Sequence, residues 1–437
     1  MNDRTSYPNA DSHRWMVFSV SCVVYFFVYF HRVSTSVIVS DLLEAFHTNA
    51  TALGFMSSMY FYLYALEQPL VGYLSDRLGP RRVIGYWSMA AAAGCFLFAT
   101  APNVGWASVG RALIGLGVGG VYVPAIKAIS LWFRKERFTT MIGVLMSVGN
   151  FGAVIATTPL AWAAAFWGWR PTFVLIGGIT LTLAFVTLLL TRDYARASQP
   201  VRVTPASASG GMTGSRAKAV EVLASGRFWI VAVIFFGIYG TLVTLQGLWA
   251  TPFLMTVLGI DRIFASKLNM LIPVGVIIGA PFFGWLTDRF SISKGDTLIA
   301  ILTGYGLTWV GIIFFFNQLG TGGLSTVLLV MGIVTGGFIS MLWGIVEETT
   351  PQEILGLTFG MLNPAPFIGV AAFQVLTGAI LDRAGRVGDL YPVSGFRNAF
   401  LLCLFGIVIC LALSFRLRSS KGPETLQSDR GRTEVSG

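Results

Sequence analysis

Charge is what this chain has least of. Of its 437 residues, 11% are Asp, Glu, Lys or Arg, against a hydrophobic share of 54%. An ordinary soluble domain is about one-quarter charged. So little charge cannot coat a globule of this length, so lipid must cover much of the surface. Cysteine is equally sparse. Cys22, Cys95, Cys403 and Cys410 all fall in apolar stretches and form no CxxC pair, so neither a disulfide framework nor a zinc site is indicated. No metal-ligating cluster, Ser-His-Asp arrangement or P-loop is recognisable, which argues against an enzyme and implies no cofactor. The run Gly115-Leu-Gly117-Val-Gly119-Gly120 has the form of a dinucleotide fingerprint. Its glycines, however, sit midway along an apolar stretch, and no carboxylate follows until Glu136; a Rossmann reading is rejected.

What the chain has instead is long apolar segments. A helix needs about 20 apolar residues to cross the hydrocarbon core. By that ruler there are twelve, near 15–40, 50–74, 84–101, 104–131, 139–164, 171–191, 228–257, 264–287, 297–316, 323–346, 355–381 and 396–415. The expected fold is an all-α membrane protein with twelve transmembrane helices in two six-helix halves. The N-terminal half is 15–191 and the C-terminal half 228–415. The Arg-, Ser-, Ala- and Gly-rich stretch 192–227 reads as a linker, and 1–14 and 416–437 as terminal segments. Residues 1–14 are polar, and no small-residue cleavage site follows the first apolar run, which reads as an uncleaved anchor.

The formal charge of +10 could suggest nucleic acid, but its distribution argues for topology. Basic residues crowd one set of loops: Arg77, Arg81 and Arg82; Arg134, Lys135 and Arg137; the linker; Arg289 and Lys294; and the C-terminal tail. The alternate loops hold Arg170, Arg262, Lys267, Arg383, Arg386 and Arg397. This is the positive-inside pattern. It predicts both termini in the cytoplasm and contact with anionic lipid rather than nucleic acid.

The most informative segment is Gly72–Val83, GYLSDRLGPRRV, between the second and third apolar stretches. A weaker copy, GWLTDRFSISKG, runs from Gly284 to Gly295. Paired halves of this kind are common among secondary transporters. The first copy resembles the signature loop of the major facilitator superfamily at Gly72, Leu74, Asp76, Arg77, Gly79, Arg81 and Arg82. The second keeps Gly284, Leu286, Asp288 and Arg289. Arg111 followed by Gly115 and Gly119 resembles that family's helix-4 motif. The resemblance implies that Asp76, with Asp288 more weakly, helps hold the two halves together in the outward-open state. It also implies a structural or proton-relay role for Arg111, and a monomer.

A closer resemblance links Ile126–Phe133, Gln246–Phe253 and Glu348–Pro351 to bacterial metabolite-uptake members, among them phagosomal amino-acid transporters and proteins labelled sugar-phosphate permeases. Helix 5 reads Gly149-Asn-Phe-Gly152-Ala. It lacks the Gly-Pro-x-x-Gly-Gly pattern of proton-coupled drug exporters in the superfamily.

Ionisable residues inside apolar helices carry an insertion cost and are functional candidates by default. Tyr25, Tyr29, Arg32 and Ser36 follow i, i+4, i+7, i+11 spacing and share one helix face. The guanidinium could bind a carboxylate or phosphate, or pair structurally with helix carbonyls. Glu67 shares a face with Tyr60 and Tyr64. Shielded from water, it is the proton-coupling candidate, or else the partner of a buried cation. Lys127, near the end of the fourth segment, either snorkels to the interface or receives an anionic solute. Gln246 and Trp249, with Tyr239 nearby, and Asn363 and Gln374 could bind a polar solute or simply pack. Small residues at Gly115/Gly119, Gly275/Gly279 and Gly356/Gly360 favour close helix approach.

The expected function is secondary transport of a small polar metabolite, anionic or zwitterionic, by alternating access in symport with protons. The expected location is the bacterial cytoplasmic (inner) membrane. The competing readings are an exporter of apolar compounds and a transporter-like solute sensor.

Overall fold

The computed structural model describes residues 10–133, 135–193, 220–290, 292–386 and 391–418, and no strand occurs among them. Twelve long helical spans run through these residues. In the first half they are α1 (Ala10–Val33), α2 (Ala50–Leu78), α3 (Pro80–Thr100), α4 (Val104–Gly119 continued by Tyr122–Trp132), α5 (Lys135–Ile155 and Thr158–Trp167) and α6 (Trp169–Leu190). In the second half they are α7 (Gly226–Leu258), α8 (Arg262–Asn269 and Leu271–Phe290), α9 (Lys294–Phe314), α10 (Phe316–Gly336 and Phe338–Thr349), α11 (Gln352–Leu362 and Pro364–Ala384) and α12 (Val393–Ser414). The expected linker lies mostly outside the described residues, as do most of both terminal segments.

Local chemistry sets several boundaries. The Asn49 side chain accepts from the Ala52 N–H and caps α2, Asn103 caps α4 at Trp106, and Asp261 caps α8 at Ile263 and Phe264. Between α2 and α3, Gly79 takes φ +84° and Pro80 opens the next helix; a left-handed residue followed by proline turns the chain sharply. The spans are less regular than the sequence suggests. α5 bends by 40° at its break, α11 breaks before Pro364, and α7 holds a π-helical turn at Leu245–Trp249. Such turns are frequent at functional sites.

Ten spans are long and apolar enough to cross a bilayer, and the bent α5 makes eleven. The span that falls short is α2, which carries Tyr60, Tyr62, Tyr64, Glu67 and Gln68 along its middle. It is also the span most deeply engaged with the other half.

Glycine sets the closest approaches. A Cβ on Gly115 of α4 would lie 2.1 Å from the Tyr60 carbonyl oxygen of α2. Cβ atoms on Gly275 and Gly279 of α8 would meet α10 at the carbonyls of Leu329 (2.4 Å) and Ile333 (1.9 Å). Gly360 faces open space. Between the halves, Gly54 of α2 and Gly378 of α11 do the same work, 2.3 Å and 2.4 Å from opposing carbonyl oxygens.

These inter-half contacts gather at the end of the bundle opposite the start of α1, here called distal. There Asp382 of α11 accepts from the Ala50 and Thr51 N–H groups of α2, both at 2.8 Å. Arg262 of α8 pairs with Asp41, in the short helix Val39–Ala45 between α1 and α2. Ser36 bonds to Thr251 and accepts from Asn269. At the proximal end the ion pairs among the described residues stay within one half: Lys127–Asp76 at 2.7 Å, Lys294–Glu348 at 2.8 Å and Arg418–Asp296 at 2.5 Å. The two halves are therefore clamped together distally.

Candidate substrate site

Arg32 sits on α1 two turns beyond Tyr25, and the helical period brings Tyr25, Tyr29 and Arg32 onto one face. The guanidinium carbon lies 4.4 Å from the Tyr29 ring centre. From other helices it meets Tyr64 of α2 at 5.7 Å, Tyr239 of α7 at 5.9 Å and Phe367 of α11 at 5.5 Å. Two of these rings belong to each half. Arg32 is 5% exposed. Its Nη1 donates to the Tyr239 hydroxyl at 2.5 Å, while its Nε is buried with no hydrogen-bond partner. Among the described residues no carboxylate pairs with it. The result is a cation in an aromatic box at the seam between the halves, satisfied only by neutral groups.

The neighbouring aromatics extend this box along α1. Tyr25 stands edge-on to Tyr29 at 5.5 Å, stacks on Tyr122 of α4 at 5.4 Å, and donates its hydroxyl to the Met146 sulfur. Tyr60 also faces Arg32 through its hydroxyl oxygen, but it is fully buried and that hydroxyl donates to the Val28 carbonyl of α1 at 2.8 Å. Its ring supports a second buried cation, Arg111, at 5.2 Å. Arg111 Nη1 donates to the His31 carbonyl at 3.1 Å, and its Nε and Nη2 have no partner. His31 packs beside Cys95, its Nε2 3.7 Å from the sulfur.

Glu67 lies one turn beyond Tyr64 on α2 and is 6% exposed. Its Oε2 accepts from Trp87 Nε1 of α3 at 2.7 Å, while Oε1 is buried without a partner against Gly119. It is paired with neither Arg32 nor Lys127. Lys127 is committed elsewhere: its Nζ donates to the Ser75 carbonyl and to Asp76, both at 2.7 Å. Asp76 stands twelve residues beyond Tyr64 on α2, ~18 Å at 1.5 Å per residue, so Lys127 is not brought to the Arg32 box.

The signature loop is held within its own half. Asp76 accepts from Lys127, not from Arg82, which is exposed. Arg77 lies over the Tyr73 ring at 4.7 Å, and the Arg81 backbone N–H donates to Asp193 at 2.9 Å. No neighbour lies within 4 Å of a Cβ built on Gly72. Arg289 is exposed, and the Asp288 side chain lies outside what the structure describes.

In the second half, Trp249 is fully buried and donates to the Thr377 hydroxyl of α11 at 2.8 Å. Gln374 is also fully buried, beside the Ser58 hydroxyl at 3.4 Å, with its Nε2 unpartnered. Gln246 lies in the π turn, and its carbonyl accepts from Asn269 at 3.0 Å. Asn363 marks the break in α11 and is partly exposed. The aromatic box depends on Phe367, which sequence reasoning did not single out. Its only sequence signal is an aromatic just inside the α11 break, and its partner across the seam is invisible without the fold.

Two six-helix halves clamped at one end around a buried cation define a class: a two-domain membrane carrier. The chain belongs to the Major Facilitator Superfamily, whose profile matches residues 21–373. It is 24% identical over 391 residues to a protein described as a probable sulfoacetate transporter from Cupriavidus necator, covering 87% of this chain and 90% of that one. It is 23% identical over 385 residues to a probable galactarate/D-glucarate transporter from Escherichia coli, covering 80% and 84%. Among solved structures, a bacterial homologue of the human lysosomal transporter Spinster, inward-facing and unoccupied, matches with a TM-score of 0.72 at 18% identity, covering 93% of this chain and 97% of that one. The protein is an integral membrane secondary transporter of a small-molecule solute.

Proposed function

We propose that this transporter moves a small organic anion, carrying a carboxylate or sulfonate, in symport with protons by alternating access. The observation that carries this reading is Arg32. A buried cation without a counter-ion is costly, and this one stands at the seam of the halves with only phenols and ring faces for company. An oxyanion forms charge-assisted, bidentate bonds with a guanidinium and would supply the missing charge. The relatives support the same chemistry: their described solutes, sulfoacetate and galactarate/D-glucarate, are organic anions. An exporter of apolar compounds would gain nothing from Arg32.

In this reading the basic proximal end faces the cytoplasm, with both termini there, and the distal end faces the periplasm of a bacterial inner membrane. The distal clamp at Asp382 and Arg262 then marks a carrier closed to the outside. Glu67 is the proton carrier. Its unpartnered oxygen leaves room for a proton, and the Trp87 bond holds the group in place in either form. Asp76 and Lys127 are proximal gate residues, and no cofactor takes part. The test is uptake of radiolabelled carboxylates and sulfonates into proteoliposomes under an imposed pH gradient. Organic anions should accumulate when the outside is acid and neutral sugars should not; accumulation of neutral sugars alone would refute the reading.

A further inference from the structure

We propose that the Tyr239 hydroxyl stands in for the solute on Arg32 when the site is empty, so that the unloaded carrier can change conformation. This rests on the reading of Arg32 as the anion site. The juxtaposition is specific: Arg32 Nη1 on α1 and the Tyr239 hydroxyl on α7 meet at 2.5 Å across the seam, 207 residues apart in sequence. Arg32 Nε is sealed from solvent. An anion that grips the two Nη atoms end-on therefore competes with Tyr239 at Nη1.

The exchange is chemically matched. A phenol oxygen accepts from a guanidinium without adding charge, so its bond is weaker than that of a carboxylate or sulfonate. The anion can displace it, and the hydroxyl can return when the anion leaves. α7 is built to yield at this point. Its π turn at Leu245–Trp249 begins six residues beyond Tyr239, and Gly247 in that turn approaches the Arg32 carbonyl so closely that a Cβ would stand 2.8 Å away. Displacing Tyr239 therefore loosens a tie between α7 and α1. Restoring it returns an acceptor from the second half to a cation that would otherwise cross the low-dielectric centre with only Tyr60 and ring faces around it.

Symport and exchange make different demands on this bond. Net uptake needs the empty carrier to return in every cycle; counterflow exchange needs only the loaded carrier to cross. Tyr239→Phe keeps the ring and removes the stand-in oxygen. Tyr239→Gln restores an acceptor oxygen.

The experiment compares net uptake with counterflow in proteoliposomes, using radiolabelled sulfoacetate and D-glucarate as separate probes. For a probe that the wild-type protein exchanges, Tyr239→Phe should lower net uptake about tenfold more than it lowers counterflow. Tyr239→Gln should recover most of the net uptake. Equal loss of uptake and counterflow in Tyr239→Phe, or loss of neither, overturns the inference and leaves Arg32 as the anion site. Tyr239→Gln decides the matter if Tyr239→Phe does not fold: a Gln variant that exchanges but cannot return empty also overturns it. If the wild-type protein exchanges neither probe, the Arg32 reading itself fails, and the inference with it.

Discussion

Asp382 at the end of α11 caps the start of α2 at Thr51, accepting from its backbone N–H at 2.8 Å and from its hydroxyl. The same carboxylate accepts from the Ala50 N–H and from the Tyr391 hydroxyl at 2.7 Å, and Tyr391 also accepts from the Ala50 N–H. A negative charge at a helix N-terminus is favourable through both the exposed N–H groups and the dipole. Here the carboxylate and the helix belong to opposite halves, so the interaction exists only while the distal end is closed.

Removing that charge should therefore favour the opposite conformation. Asp382→Asn is expected to lower the closed-to-open ratio at the distal end by about tenfold, the scale of one charge-assisted hydrogen bond. The reporter is a cysteine at Ser36, 1% exposed beneath the clamp. Its labelling by a membrane-impermeant maleimide should rise in the Asp382→Asn background. Unchanged labelling would show that Asp382 does not hold the clamp.

Glu67 makes a separate prediction about coupling. Glu67→Gln keeps an oxygen for the Trp87 N–H and removes the exchangeable proton. Uptake by this variant should lose its dependence on the imposed pH gradient while counterflow persists. A pH profile identical to wild type would remove Glu67 from the coupling mechanism.

Packing makes a third. Gly115 lies against backbone, and backbone cannot swing aside as a side chain can. Gly115→Ala should force α2 and α4 apart at a cost of about 1–3 kcal/mol, visible as a lower thermal unfolding midpoint in detergent. Gly360→Ala meets nothing within 4 Å and should leave the midpoint unchanged or slightly raised. Equal effects from the two would contradict the close approach described at Gly115.

The fold was legible because its determinants are local. Bilayer-length apolar segments are read one at a time, and the Gly72–Val83 loop with its weaker copy at Gly284–Gly295 reveals the two halves. Helical spacing also places Tyr25, Tyr29 and Arg32 on one face, and the structure adds Tyr64 to that group. What stayed hidden lies across the seam. Tyr239 and Phe367 close the box, and Asp382 clamps the distal end, through contacts some 200 to 330 residues apart in sequence. No period or short motif encodes such contacts.

Spacing also could not tell a free polar group from one already committed. Tyr60 follows the same spacing as Tyr64, yet its hydroxyl is bound to the Val28 carbonyl. Trp249 is bound to Thr377, and Lys127 to Asp76. α2 falls short as an apolar span because Tyr60, Tyr64 and Glu67 face other helices and the site, not lipid.

The central claim is that Arg32 holds the solute's anionic group. The most direct measurement is equilibrium binding of the transported anion to purified wild-type protein and to Arg32→Ala, followed by scintillation proximity. Loss of a buried, bidentate ion contact is expected to weaken binding by about a hundredfold or more, with the unfolding midpoint showing that the variant is folded. Binding by folded Arg32→Ala within about threefold of wild type would contradict the account.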